Sequence, residues 1–177
     1  MDGESQDMRR VALLVLSLGI VGMAAVPGGG ASSPVQSCSR ESVVDLVEAF
    51  VRAYNRGDSD KLHSMWADEP DFEWYSVSPG ERERADAYSR ETLIPYFAQR
   101  HGLNDRLRLK RLQVGPEDDR GVFGITYRLR RTSDQDSGRG LYHGKASAKE
   151  VLAVTSVDDL SVSRCVLFVW SMGRQER

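Results

Sequence analysis

Residues 45–67 read DLVEAFVRAYNRGDSDKLHSMWA, and the fold follows from how this stretch is divided. Together with Val43, residues Val47, Phe50, Val51 and Tyr54 recur at i, i+4, i+7, i+8 and i+11 and so share one helical face. Arg40, Glu41, Glu48, Arg52 and Arg56 fall mostly on the other face. Ser39 or Ser42 can cap the start. Gly57 sits where a left-handed C-terminal residue is needed, because it has no side chain to clash there. Asp58 or Ser59 can cap a second, shorter helix whose apolar side is Leu62, Met65 and Trp66. A long amphipathic helix, broken at one glycine and followed at once by another, must turn sharply against something apolar.

The downstream sequence supplies that surface. Phe72–Val77 is rich in aromatic and β-branched residues and predicts a strand. Residues 78–87, SPGERERADA, predict a charged loop with at most a turn of helix. In SRETLIPYFAQRHG (89–102) Thr92 as cap places Pro95 in a first turn, where its missing N–H costs little. A third helix is therefore expected over Leu93–His101, ending at Gly102. From Leu107 the period becomes two. LRLKRLQV (107–114) alternates with a register change near Arg111 that suggests a bulge. GVFGITYRLRR (121–131) places Phe123, Ile125, Tyr127 and Leu129 on one face. LYHGKASAKEVLAV (141–154) and LSVSRCVLFVWSM (160–172) complete the set, the latter with Val162, Val166, Phe168, Trp170 and Met172 expected on one face. Three helices, one early strand and four antiparallel strands make an α+β layout. Its single curved, mixed-edge sheet needs its concave face covered by the helices.

The chain has 177 residues, which suits one domain. A formal charge of -2 excludes a globally basic surface, and no nucleic-acid partner is expected. The N-terminus has the layout of an export signal. Arg9 and Arg10 precede an apolar run over residues 11–26, and small residues follow it. The acidic MDGESQD in front of them points to translation starting at Met8. Cleavage is expected after Ala24 or Ala31, so that 1–31 form the leader, 32–38 a Ser/Pro/Gln connector, 39–173 the domain and 174–177 a polar tail. The alternatives are an uncleaved membrane anchor over residues 11–26, or lipidation at Cys38, which lies beyond the usual lipobox position. A membrane partner is expected only if the leader stays uncleaved. In an oxidising compartment Cys38 and Cys165 can bridge. Neither belongs to a C-x-x-C pair or a Cys/His cluster, so no metal site is expected.

The run VEAFVRAYNRGDSDKLHSMWADEPDFEW (47–74) resembles the opening of a nuclear transport factor 2-like domain. The points of likeness are a helix, an N-x-G-D break, a second helix ending near an aromatic, and a strand with acidic and aromatic residues. YFAQRH, RLRLKRLQV and the terminal strands extend the resemblance over about residues 40–173. That superfamily includes ketosteroid isomerase, scytalone dehydratase and the SnoaL polyketide cyclases. The resemblance implies a cystatin-like cone and says little about activity, since the fold hosts enzymes, ligand binders and association modules alike.

If the chain is an enzyme, the resemblance implies an acidic base near the first strand and a tyrosine donor within the cone. Asp71 and Glu73 are then the candidate bases and Tyr54 the donor, in an isomerase, dehydratase or cyclase acting on a small hydrophobic substrate. Alternation, however, puts Asp71, Glu73 and Tyr75 on one strand face and Phe72 and Trp74 on the other, so inward aromatics mean solvated acids. Phe50, Tyr54, Trp66, Trp74, Tyr96, Tyr127 and Glu150 are the candidate lining of a pocket for a small apolar ligand. His63 falls off the apolar face of its helix, His101 stands at a helix C-terminus, and His143 is expected at the surface, which weakens a dehydratase set. Arg106, Arg108, Lys110, Arg111, Arg128, Arg130 and Arg131 recur on adjacent strands. They form either a cationic patch for an anionic partner or lipid headgroups, or a solvated face balanced by nearby acids. No phosphate-loop, nucleophile-elbow or zinc-protease motif occurs, and no cofactor is expected. The reading preferred on sequence is an exported, non-catalytic cone domain that holds a small apolar ligand, pairs with itself through its sheet, or binds another protein.

Overall fold

A computed structural model describes residues 38–78, 81–135, 138–154 and 161–175. The leader, the connector up to Ser37 and the last two residues lie outside the described residues. Helix α1 spans Arg40–Arg56 and begins at a capping box in which Ser39 and Ser42 satisfy each other's backbone N–H groups. It ends at Gly57, whose φ of 68° is left-handed. A Cβ at that position would press on the His101 ring at 2.6 Å, so glycine is required by both conformation and space. Asp58 caps α2 (Ser59–Met65) by accepting from the Lys61 N–H. Helix α3 runs from Arg90 to Gly102. It starts three residues before the expected point, with Ser89 rather than Thr92 as N-cap, and carries Pro95 within it.

Six strands follow the order β2-β1-β6-β5-β4-β3. They are β1 (Trp66–Ser78), β2 (Glu81–Ala87), β3 (Arg106–Glu117), β4 (Val122–Thr132), β5 (Gly140–Val154) and β6 (Ser161–Arg174). All neighbours are antiparallel except β1 and β6, which run parallel. The sheet is mixed and open, and the helices pack on its concave face.

Three expectations need correction. The charged segment expected as a loop is strand β2, pairing from Phe72↔Ala87 to Ser78↔Glu81. Its ERERADA alternates charge with little apolar signal because it is an edge strand, where charge is compatible with pairing. Trp66 is not the end of α2 but the first residue of β1. In β6, Ser147 faces Val169 while Ala148 faces Leu167, so Phe168 is an unmatched, bulged residue. The bulge flips the side-chain parity. Leu167 therefore joins Trp170 and Met172 in the core, whereas Val166, though buried, lies outside that cluster. The bulge near Arg111 is present, with the register shifting between Leu109 and Arg111.

The core is aromatic. Phe50 and Tyr54 from α1 meet Trp66, Phe72 and Trp74 from β1, Phe97 from α3 and Trp170 from β6. Phe50 lies 4.8 Å from Trp170 between ring centroids, and Tyr127 stacks on the same indole at 4.4 Å. All three tryptophans of the chain take part. Rings at these separations add about 0.5–1.5 kcal/mol per pair beyond their burial.

Candidate functional site

The two faces of the sheet offer different chemistry, and the expected residues divide between them. Phe72 and Trp74 point into the cone, buried to 1% and 3% exposure. By alternation Asp71 and Glu73 point outward. Asp71 is exposed, and Glu73 is half-buried, ion-paired with Arg84 at 3.2 Å and accepting from the Ser171 hydroxyl at 3.4 Å. Tyr54 lies inside the cone at 1% exposure. The structure thus does not bring these three residues together. A base and a donor on opposite faces of one sheet cannot act on one substrate atom.

Of the expected pocket, Phe50, Tyr54, Trp66, Trp74 and Tyr127 are buried and Tyr96 is half-buried. They pack on one another, filling the space a ligand would need. Glu150 is not among them. It is exposed and accepts the Cys38 N–H at 3.1 Å, beside the Cys38–Cys165 disulfide. It stands opposite Cys165 in the β5–β6 ladder. The Cys38–Cys165 disulfide closes a separation of 127 residues.

A charged cluster that sequence reasoning did not assemble lies within the cone. Asp105 is fully buried. It accepts from Arg100 Nε at 2.7 Å and from Arg131 Nε at 2.8 Å, with a further bond from the second Arg131 nitrogen. Arg100 also donates to Gln135 Oε1 at 2.7 Å. The Arg131 guanidinium sits 4.2 Å above the Trp74 ring and 5.6 Å from that of Tyr142, positions that suit a cation over a π face. Burial alone would push the Arg131 pKa down. The hydrogen bonds and charge of Asp105 outweigh that and hold it above its ordinary value. Arg131 does not share the outer face with Arg128 and Arg130. Alternation from Phe123 through Leu129 carries it inward instead, and it is 3% exposed. The signal was present in the sequence, since the residue two after Leu129 shares its face.

Burial raises the Tyr54 phenol well above its ordinary pKa, with the nearby Asp105 charge adding to it. Among the described residues its hydroxyl has no hydrogen-bond partner, nor does Trp74 Nε1. Burial also raises the Tyr127 phenol, which donates to the Ser171 carbonyl at 2.9 Å. Around Asp105, then, two arginines saturate the carboxylate. The arrangement is one of paired charge rather than of a free base.

The outer face holds a groove of about 470 Å³ lined by Tyr75, Arg111, Arg128, His143, Lys145 and Ser171, among others. It crosses β1, β6, β5, β4 and β3 on two adjacent rungs. One is Tyr75–Gly173–His143–Arg128–Arg111, and the other is Glu73–Ser171–Lys145–Thr126–Gln113. Among the described residues no group of three or more His, Cys, Asp or Glu side chains is placed to hold a metal ion.

No protein-family model matches the sequence, and no curated protein matches it. Solved structures do. An uncharacterised protein with a cystatin-like fold from Caulobacter vibrioides superposes with a TM-score of 0.55 at 9% identity, covering 77% of this chain and 89% of that one. A protein of unknown function from Shewanella oneidensis MR-1, described as NTF-2 like, gives 0.51 at 12% identity, over 75% and 97% of the two chains. A Streptomyces avermitilis protein, provisionally named a dehydratase of the NTF2-like family, gives 0.50 at 16%, over 77% and 96%. At such identities the likeness concerns architecture alone. The helix–glycine–helix arm within a bent, open six-stranded sheet is the nuclear transport factor 2-like, cystatin-like cone, and that is the fold of this chain.

Proposed function

We propose that the chain is an exported, non-catalytic nuclear transport factor 2-like domain that works by binding, and that it binds with the outer face of its sheet rather than inside its cone. The observation that carries this reading is the aromatic filling of the cone. Phe50, Tyr54, Trp66, Trp74 and Trp170 occupy the space where a substrate would lie, while the groove opens on the opposite face. A ligand screen by native mass spectrometry tests it. Hits should be lost when Thr126→Trp fills the groove. Hits that persist in that variant, or turnover of any compound in the screen, would refute it.

Export is supported by the Arg9–Val26 pattern and by the disulfide, which persists in oxidising compartments. Cell fractionation with sequencing of the mature N-terminus should find the protein outside the cytoplasm, beginning after Ala24 or Ala31. Recovery of residues 11–26 in a membrane pellet would instead establish the anchor.

A second reading, self-pairing through the same face, is favoured by its charge distribution. Asp71, Glu73 and Asp86 lie toward the β2–β1 edge and outnumber Arg84, which pairs with the latter two, whereas Arg111, Arg128 and Lys145 lie toward β3. A two-fold axis along the strands would set the acidic half of one copy on the basic half of another, as an isologous interface requires. Sedimentation velocity would show a dimer that dissociates as salt rises; a monomer at all concentrations excludes it.

A further inference from the structure

The groove on the outer face has a one-sided chemistry. Arg111 and Arg128 face each other directly across the β3–β4 ladder, and Arg108 faces Arg130 in the same way. Like charges directly opposite are unfavourable in a sheet unless something neutralises them. Nothing in the described residues does so, because none of Arg108, Arg111, Arg128, Arg130 or Lys145 has a hydrogen-bond or ion-pair partner there. Glu73, which shares a rung with Ser171 and Lys145, is already engaged by Arg84 and Ser171. Lys145 lies diagonally from Arg128, since Arg128 pairs with His143 two residues earlier on β5. Three cations on neighbouring strands therefore border one 470 Å³ groove. Its wall is the Tyr75 ring, which packs so close to Gly173 that a Cβ there would collide with it.

We infer that this groove binds a phosphate monoester on a soluble small molecule. The inference rests on the outer-face reading above and names its ligand class. A carboxylate has one charge and satisfies one guanidinium fork. A phosphate monoester brings nearly two charges and three terminal oxygens, which match two arginines and a lysine. Thr126, Gln113 and the Tyr75 hydroxyl supply neutral polar groups for the organic remainder, and the ring offers it an apolar surface.

The test is isothermal titration of the mature, disulfide-bonded domain with glycerol phosphate and with phenyl phosphate, at low and moderate salt. Saturable binding is expected, weakened at least tenfold in Arg128→Gln and in Lys145→Gln. Both residues are exposed, so the fold should survive, and far-ultraviolet circular dichroism checks that it does. Failure of both esters to bind, or binding by either variant as tight as that of the wild type, overturns the inference. Binding to vesicles containing an anionic phospholipid without binding to the soluble esters overturns it too, in favour of a membrane surface. The outer-face reading fails separately. If Thr126→Trp leaves every ligand bound, the face itself is wrong. If that variant abolishes some other ligand while the esters never bind, only the phosphate assignment falls.

Discussion

Replacing Asp105 by asparagine removes one charge and almost no volume, which makes it the sharpest probe of what holds the interior of the cone. Asp105 is fully buried, and its two partners, Arg131 and Arg100, are 3% and 7% exposed. At the observed 2.7–2.9 Å nitrogen–oxygen contacts, each pair has its charge centres about 4 Å apart, worth about 4 kcal/mol at an effective dielectric of 20. Desolvating three ions offsets most of that attraction. The asymmetry decides the outcome. Once the carboxylate is neutral, two guanidinium cations stay buried with no counter-charge, and breaking such a pair costs about 3–5 kcal/mol. A domain of this size has roughly 5–15 kcal/mol in total, so the variant should fold but be severely weakened. Urea unfolding followed by tryptophan fluorescence should show a lower midpoint at unchanged slope. Arg131→Met should also destabilise, and the double variant should lose less than the sum of the two, because one of the two orphaned cations is then gone and only Arg100 is left unpaired. A loss below about 1 kcal/mol for Asp105→Asn, or simple additivity in the double variant, would refute the argument that the cluster acts as one paired unit.

Tyr54→Phe removes a buried hydroxyl that has no partner, so it should leave stability unchanged or raise it by about 1 kcal/mol; a loss of that size in urea unfolding would mean that the hydroxyl is bonded after all. Cys38→Ser with Cys165→Ser opens a closure of 127 residues, for which chain entropy gives roughly 5 kcal/mol, read as a fall in melting temperature that matches the wild type under reductant. The raised pKa of the Tyr127 phenol means that the unfolded chain releases its proton first. Stability from this group is therefore intact below about pH 10, the ordinary phenol value, and declines as pH rises beyond it. Phenolate absorbance should track unfolding in wild type, with a shallower alkaline slope in Tyr127→Phe.

Helical periodicity and strand alternation carried most of the architecture because both are local. Gly57 as a left-handed cap, the Arg111 bulge and the inward set Phe123–Leu129 were legible in the sequence, and each N-cap was narrowed to two residues, of which Ser39 and Asp58 serve. Strand β2 was not, because an edge strand can be stabilised by ladder bonds without an apolar face, and ERERADA carries nearly none. The Phe168 bulge was hidden for a related reason. Either face of VLFV is apolar, so alternation there has no sign to read. The site was harder still. That Asp71 and Glu73 lie outside follows from the inward pull of Phe72 and Trp74, which sequence could state only as a condition. The Asp105 cluster joins α3's end to β4 across 26 residues, a tertiary meeting that no local pattern announces. Glu150, expected to line a pocket, instead stands exposed opposite Cys165 and accepts the Cys38 N–H, a tertiary placement set by the β5–β6 ladder and the disulfide.

The covalent link from Cys38 to Cys165 also sets how the domain bears mechanical load. Residue 38 stands immediately before α1, and without the link any pull arriving from upstream would peel that helix off the sheet one turn at a time. With it, tension bypasses the helix and enters β6, which is held on one side by β1 and on the other by β5. Such a strand must be sheared from two neighbours at once rather than unzipped from one. A chain secured by its N-terminal side can thus be tugged without disturbing the arm that seals its interior.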